Sequence, residues 1–148
     1  MHITCLDVTI SDDDLNSVIS RHVPMNNKIS NIRAALEDNH LIFTGHIRVL
    51  LTMNFRAAFA ISFTEKEIIA RLTDIHPMSG LVQQFKSKIL QKIVAFAPFA
   101  RLDEKNESIR IQVNEIVKNY GLKTNLSVAD LAVAEKSLTL KLTGTINL

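Results

Sequence analysis

The chain has 148 residues, 47% of them apolar and 22% charged, with a formal charge of +2 and a single cysteine. That length reads as one α+β domain over residues 1–148, long enough to bury a core. The weak, dispersed positive charge excludes a nucleic-acid footprint, lone Cys5 excludes an internal disulfide framework, and no run of about 18 apolar residues offers a spanning helix. No secretory signal is visible, so the expectation is a soluble cytoplasmic protein, or an exported one if a signal peptide has been removed.

HITCLDVTI reads as a short first strand, with Cys5 a small buried residue within it. SDDDLNSVISRH then opens a helix. Ser11 is the candidate N-cap, Asp14 sits three residues on, and three carboxylates suit the positive end of the helix dipole. Asp12, Asp14 and Asn16 fall at alternate positions, as calcium ligands do, but Ser17 stands where a calcium loop needs glycine and Val23 where it needs glutamate. KISNIRAALE is a second strand, and residues 37–40, EDNH, form a polar turn.

The next stretch, LIFTGHIRVLLTMNFRAAFAISF at 41–63, alternates strictly. Every odd position is apolar except Gly45, whereas the even positions include Thr44, His46, Arg48, Asn54 and Arg56. A period of two marks a strand with one buried face and one wet face. Strands are commonly about 5–6 residues long, so the spacing predicts two strands joined near Leu50–Thr52. TEKE makes a turn and IIARLTDI another strand, which completes a meander.

The period then becomes helical. Leu81, Val82, Phe85, Ile89, Ile93 and Phe96 predict an amphipathic helix over 78–97, ended by Pro98 and laid across the apolar face of the meander. IRIQV, NEIVKNYG, LSVADLAVAE and SLTLKLTGTINL complete the chain as strand, short helix and two strands around a turn at Glu135–Ser137.

The two ends of the chain resemble each other. Leu15, Asn16, Val18 and Ile19 match Val113, Asn114, Ile116 and Val117; further on, Leu36, Leu41 and Phe43 match Val133, Leu138 and Leu140, and Gly45 falls on Gly144 after a two-residue slip. An internal structural repeat is the expectation. On the runs ISDDDLNSVI and KISNIRAALEDNHLIFTGHIRV followed by the amphipathic helix, the chain resembles small bacterial relatives of the tubular lipid-binding (TULIP) superfamily. That group includes the bactericidal/permeability-increasing protein and the synaptotagmin-like mitochondrial-lipid-binding domains. The resemblance implies a long, strongly curved antiparallel sheet wrapped on one long amphipathic helix, two short helices, no fixed catalytic residues, and a groove for lipid.

Aliphatic inward faces can line such a groove, since each buried methylene contributes roughly 0.8 kcal/mol. The expected function is therefore non-catalytic binding of a lipid or other hydrophobic ligand. Its contacts would be Phe43, Ile47, Val49, Leu51, Phe55, Phe59 and Ile61 on the ribbon, and Phe85, Ile89 and Ile93 on the helix. His46, Arg48 and Arg56 are the candidates for an anionic head group. No nucleophile motif, phosphate loop, metal-ligand spacing or cofactor signature occurs. Two other readings stay open: an interaction module with a filled core, as a homodimer for instance, and a membrane-surface binder acting through helix 78–97.

Overall fold

The computed structural model describes residues 2–22, 29–48, 52–76, 80–95, 99–118 and 121–147. In chain order these form β1 (His2–Ser11), α1 (Asp12–His22), β2 (Ile29–Glu37), β3 (His40–Arg48), β4 (Thr52–Phe63), β5 (Glu67–His76), α2 (Gly80–Ala95), β6 (Ala100–Asp103), β7 (Ser108–Gln112), α3 (Val113–Lys118), β8 (Lys123–Ala134) and β9 (Ser137–Asn147). The strands form two antiparallel sheets. One has six strands in the order β2-β3-β4-β5-β7-β6, the other three in the order β1-β9-β8.

The expectation of one long curved sheet wrapped on a long helix is overturned. The helices are short, at 11, 16 and 6 residues, and α2 at about 24 Å is too short to serve as a central rod. Cover is instead divided. Ile19 of α1 and Ile89, Leu90 and Ile93 of α2 pack into a first core on the six-stranded sheet, while Val113 of α3 packs into a second core on the three-stranded sheet.

The sheet divides because its edge groups are taken. On β2, Asn16 of α1 accepts from the Ala34 N–H (2.8 Å) and donates to the Ala34 carbonyl (2.8 Å), and Asp12 accepts from the Leu36 N–H (2.7 Å). The Leu36 carbonyl accepts from the Lys136 N–H in the β8–β9 turn (2.8 Å). With these groups satisfied, β2 offers no further strand a ladder, and the sheet ends there. Asn114 of α3 does the same for β8, accepting from the Leu126 N–H (2.8 Å) and donating to its carbonyl (3.1 Å). The order strand–helix–strand–strand thus occurs twice, and in each copy the helix presents an asparagine to the backbone of the strand that follows it. The two copies nevertheless differ in sheet membership: β1 leaves its own hairpin to pair with β9, and β7 joins β5.

Local chemistry sets the element ends. Ser11 and Asp14 form a reciprocal cap, the Asp14 N–H donating to Ser11 Oγ (3.1 Å) and the Ser11 N–H to Asp14 Oδ2 (2.9 Å). The two-residue turns after β2 and β8 place Asn39 and Lys136 at positive φ. Gly144, at φ +138°, lies so close to the Asn125 carbonyl that a Cβ could not be accommodated.

Candidate functional site

The strand register arranges the inner face of the six-stranded sheet in rows. Ala34, Phe43, Ala57 and Ile75 lie side by side across four strands, and all are buried. Phe59 is fully buried and meets Phe43 edge-on, with ring centroids 5.7 Å apart. Phe55 lies opposite Gly45, and its ring occupies the space a Cβ at Gly45 would need. Three rows on from Ala57 along β4, burial falls away. Phe63, Ile68, Ile111 and Ala100 form the last row, and none of the four is buried. Phe63 is 38% exposed. Ile111 packs against the first core and Ile68 against the second, so this open apolar row joins the two.

The ligand contacts expected from the sequence separate accordingly. Phe43, Ile47, Phe55, Phe59, Ile89 and Ile93 belong to the first core, and Ile47 and Ile89 are each only 1% exposed. Their neighbours are protein side chains, so a ligand seated on them would have to displace packing. Ile61 lies at the margin of that core. Val49, Leu51 and the Phe85 side chain lie outside the described residues. Phe63, Ile68 and Ile111 were not among the expected contacts. The odd-position pattern already contains Phe63, but only the pairing of β4 with β5 and of β5 with β7 brings it into line with the other two.

His46, Arg48 and Arg56 share the opposite face of the sheet. His46 pairs across the strands with Asn54, so Arg56 lies diagonal to it. Asn31 Nδ2 lies 3.1 Å from His46 Nδ1, and Arg56 lies 3.5 Å from Glu37 in an exposed ion pair that contributes little. The sheet separates these groups from the open row. The even face is not uniformly wet either. Ile42 and Ala58, paired across β3 and β4, are buried there. Strand β8 of the other sheet is a neighbour of β4 and binds both turns at that end, through Val133 to Asn39 (3.1 Å) and Val128 to Glu65 (2.7 Å).

The other chemical candidates serve the fold. Asp12 and Asp14 bond backbone amides, and the two Ser11 hydrogen bonds hold the Asp14 carboxyl below its ordinary range. Among the described residues, no three His, Cys, Asp or Glu side chains gather as a metal site would require. Cys5 is exposed, not buried as expected, and its hydrogen bond to the Asp7 carboxylate (3.5 Å) pushes the thiol up, away from the reactive thiolate. No described helix is long and apolar enough to cross a membrane. On α2, the apolar residues Ile89, Leu90 and Ile93 face the core, not solvent.

Compared with known proteins, the chain matches no family model, no curated protein and no solved structure.

Proposed function

We propose that the protein binds, without catalysis, a hydrophobic ligand bearing an acyl chain along the Phe63–Ile68–Ile111 row. The observation that carries this reading is the contrast along one sheet face: sealed rows of buried side chains give way to an open apolar row that joins both cores. An apolar strip bordered by two cores supplies a non-directional surface with no polar groups to strip of water, which suits a methylene chain. The resemblance to the tubular lipid-binding group points the same way and belongs to the same proposal.

Energetics set the ligand size. Each buried methylene contributes about 0.8 kcal/mol, and association costs roughly 4 kcal/mol or more. About fifteen buried methylenes therefore reach the micromolar range, whereas about eight fall short of millimolar affinity. Titration with palmitate and octanoate, read by native mass spectrometry and calorimetry, tests this. Palmitate binds and octanoate does not, and Phe63→Asp abolishes palmitate binding while melting as the parent does, because Phe63 is already exposed. Unchanged palmitate binding by the folded Phe63→Asp protein, or no palmitate binding by the parent, would defeat the reading.

A further inference from the structure

The two sheets have four edges, and three are protected. The edge of β2 is occupied by Asp12, Asn16 and Lys136, and that of β8 by Asn114, Glu65, Asn39 and Lys66, whose ammonium lies 3.3 Å from the Leu126 carbonyl. The edge of the larger sheet at β6 is only 4 residues long. The fourth edge, β1, runs for 10 residues and pairs on one side alone, with β9. It has no lysine, arginine or proline in HITCLDVTIS; the deterrents it does carry are the single charge of Asp7 and the irregularity between Ile3 and Leu6.

The register identifies which groups point outward. Asp12 donates its N–H to the Lys136 carbonyl, one step beyond the Ser11–Ser137 pair, so Val8 and Ile10, at the same parity, also turn their backbone groups toward β9. The N–H and carbonyl groups of Asp7 and Thr9 therefore point away from the sheet. Consistently, the outward Ser11 N–H is taken by Asp14. Among the described residues, nothing takes those of Asp7 and Thr9. Both residues are exposed, as is Leu6 at 40%. The irregularity in the β1–β9 pairing falls between Ile3 and Leu6, which leaves Leu6–Ser11 as a straight, regular edge.

We infer that β1 pairs with β1 of a second copy of this chain, antiparallel about a two-fold axis at Val8. That axis sets Asp7 opposite Thr9 of the second copy, where the two exchange reciprocal N–H to carbonyl bonds, and the symmetric pair does the same. It sets Val8 against Val8 in the close, non-hydrogen-bonded site, and Leu6 against Ile10. The apolar side chains all lie on the inner face, where Val8 already packs on the second core, so the face continues from one copy into the other. Asp7, which lies across from Lys141 on β9, faces Thr9 directly in this register, and the nearest carboxylate of the second copy, its Asp7, lies one diagonal step away, at about 7–8 Å. A six-stranded sheet then runs through both copies, and no sheet edge longer than β6 is left open.

One strand pair buries far less than the roughly 1,200–2,000 Å² of a standard stable complex, so the dimer forms in a concentration-dependent way. Sedimentation equilibrium from about 10 μM to about 1 mM, a range chosen for a weak interface, should show the mass double. Thr9→Pro removes an outward N–H that β9 does not use, as an edge strand tolerates; it should keep the parent's melting and remain a monomer throughout. Should Thr9→Pro fail to fold, Cys5→Ser/Val8→Cys decides. It should oxidise to a covalent dimer, while Cys5→Ser/Thr9→Cys, whose thiols face Asp7 in this register, should not. A parent that stays monomeric at the highest concentration overturns the inference. A folded Thr9→Pro protein that still dimerises overturns it equally.

Discussion

Asn16 is the residue whose removal most directly tests why the larger sheet ends at β2. Asn16→Ala deletes the two bonds to Ala34 and the bond from its amide to the Asp12 carbonyl (3.0 Å). The intrahelical bond is easily replaced by water, but the Ala34 N–H and carbonyl lie under the helix and lose both partners. Two net hydrogen bonds at about 0.5–1.5 kcal/mol each, with a partial desolvation penalty for the orphaned groups, give a loss of about 2–4 kcal/mol. For a chain of this size that corresponds to a fall in Tm of roughly 5–15 °C. Asn114→Ala also deletes the bond it accepts from Thr124 Oγ1 (2.7 Å), which water can replace, and should cost less, about 1–3 kcal/mol, because the Leu126 carbonyl keeps the Lys66 ammonium when the asparagine is lost. The two sites share no partner, so the double variant should lose the sum. Urea unfolding at constant m-value measures all three. Single losses below about 0.5 kcal/mol, the ordinary range of surface substitutions, would show that the asparagines decorate the edges without holding them.

Three further outcomes are expected. Gly144→Ala should be destabilising by at least about 1–3 kcal/mol from backbone conformation alone, with the Asn125 carbonyl adding to it; Gly45→Ala, which meets the movable Phe55 ring, should cost less, and chemical denaturation ranks them. Phe59→Ala should cost about 3–5 kcal/mol, whereas Phe63→Ala should stay within about 0.5 kcal/mol, and an equal cost at both sites would contradict the burial gradient. Asp14 and Asp103 have carboxyls held below their ordinary range, by the Ser11 bonds and by Asn106 with Arg110 respectively. Their folded-state pKa lies below the unfolded one, so their stabilisation is complete above about pH 4 and is lost as pH falls through the depressed values. Asp14→Asn combined with Asp103→Asn, which removes both titrating carboxyls, should therefore flatten the acid limb of a stability–pH curve, and an unchanged limb would remove these groups from the account.

Local features of the chain were open to direct reading. The Ser11–Asp14 cap needs only its own four residues, and the alternation over 41–63 is too long for one strand, which divides it into β3 and β4. What stayed hidden depends on contacts between distant segments. Ile42 and Ala58 sit at positions the alternation marks as wet, yet they are buried where β8 crosses. The helix expected over 78–97 is Gly80–Ala95, and the same apolar spacing could not tell a central rod from one of three local covers. β6 escaped notice because ARLD is too short for a period of two to register. The open row escaped for a different reason: Phe63 has the same parity as the inward positions before it, and only its 38% exposure sets it apart.

The exchange of β1 into a sheet with β9 also bears on how the chain reaches this structure. β8 and β9 can zip from their two-residue turn, but β1 is synthesised long before either and finds its partner only after both exist. Contacts this remote in sequence belong to the slow end of folding, because a very long loop must close before any bond rewards it. Until then β1 emerges from the ribosome with both of its edges open, whereas every strand of the six-stranded sheet is synthesised before β8 and β9 and can pair first. The nascent chain therefore carries an unpaired apolar strand through most of its synthesis, the state in which strand-to-strand misassembly between neighbouring chains is most easily seeded.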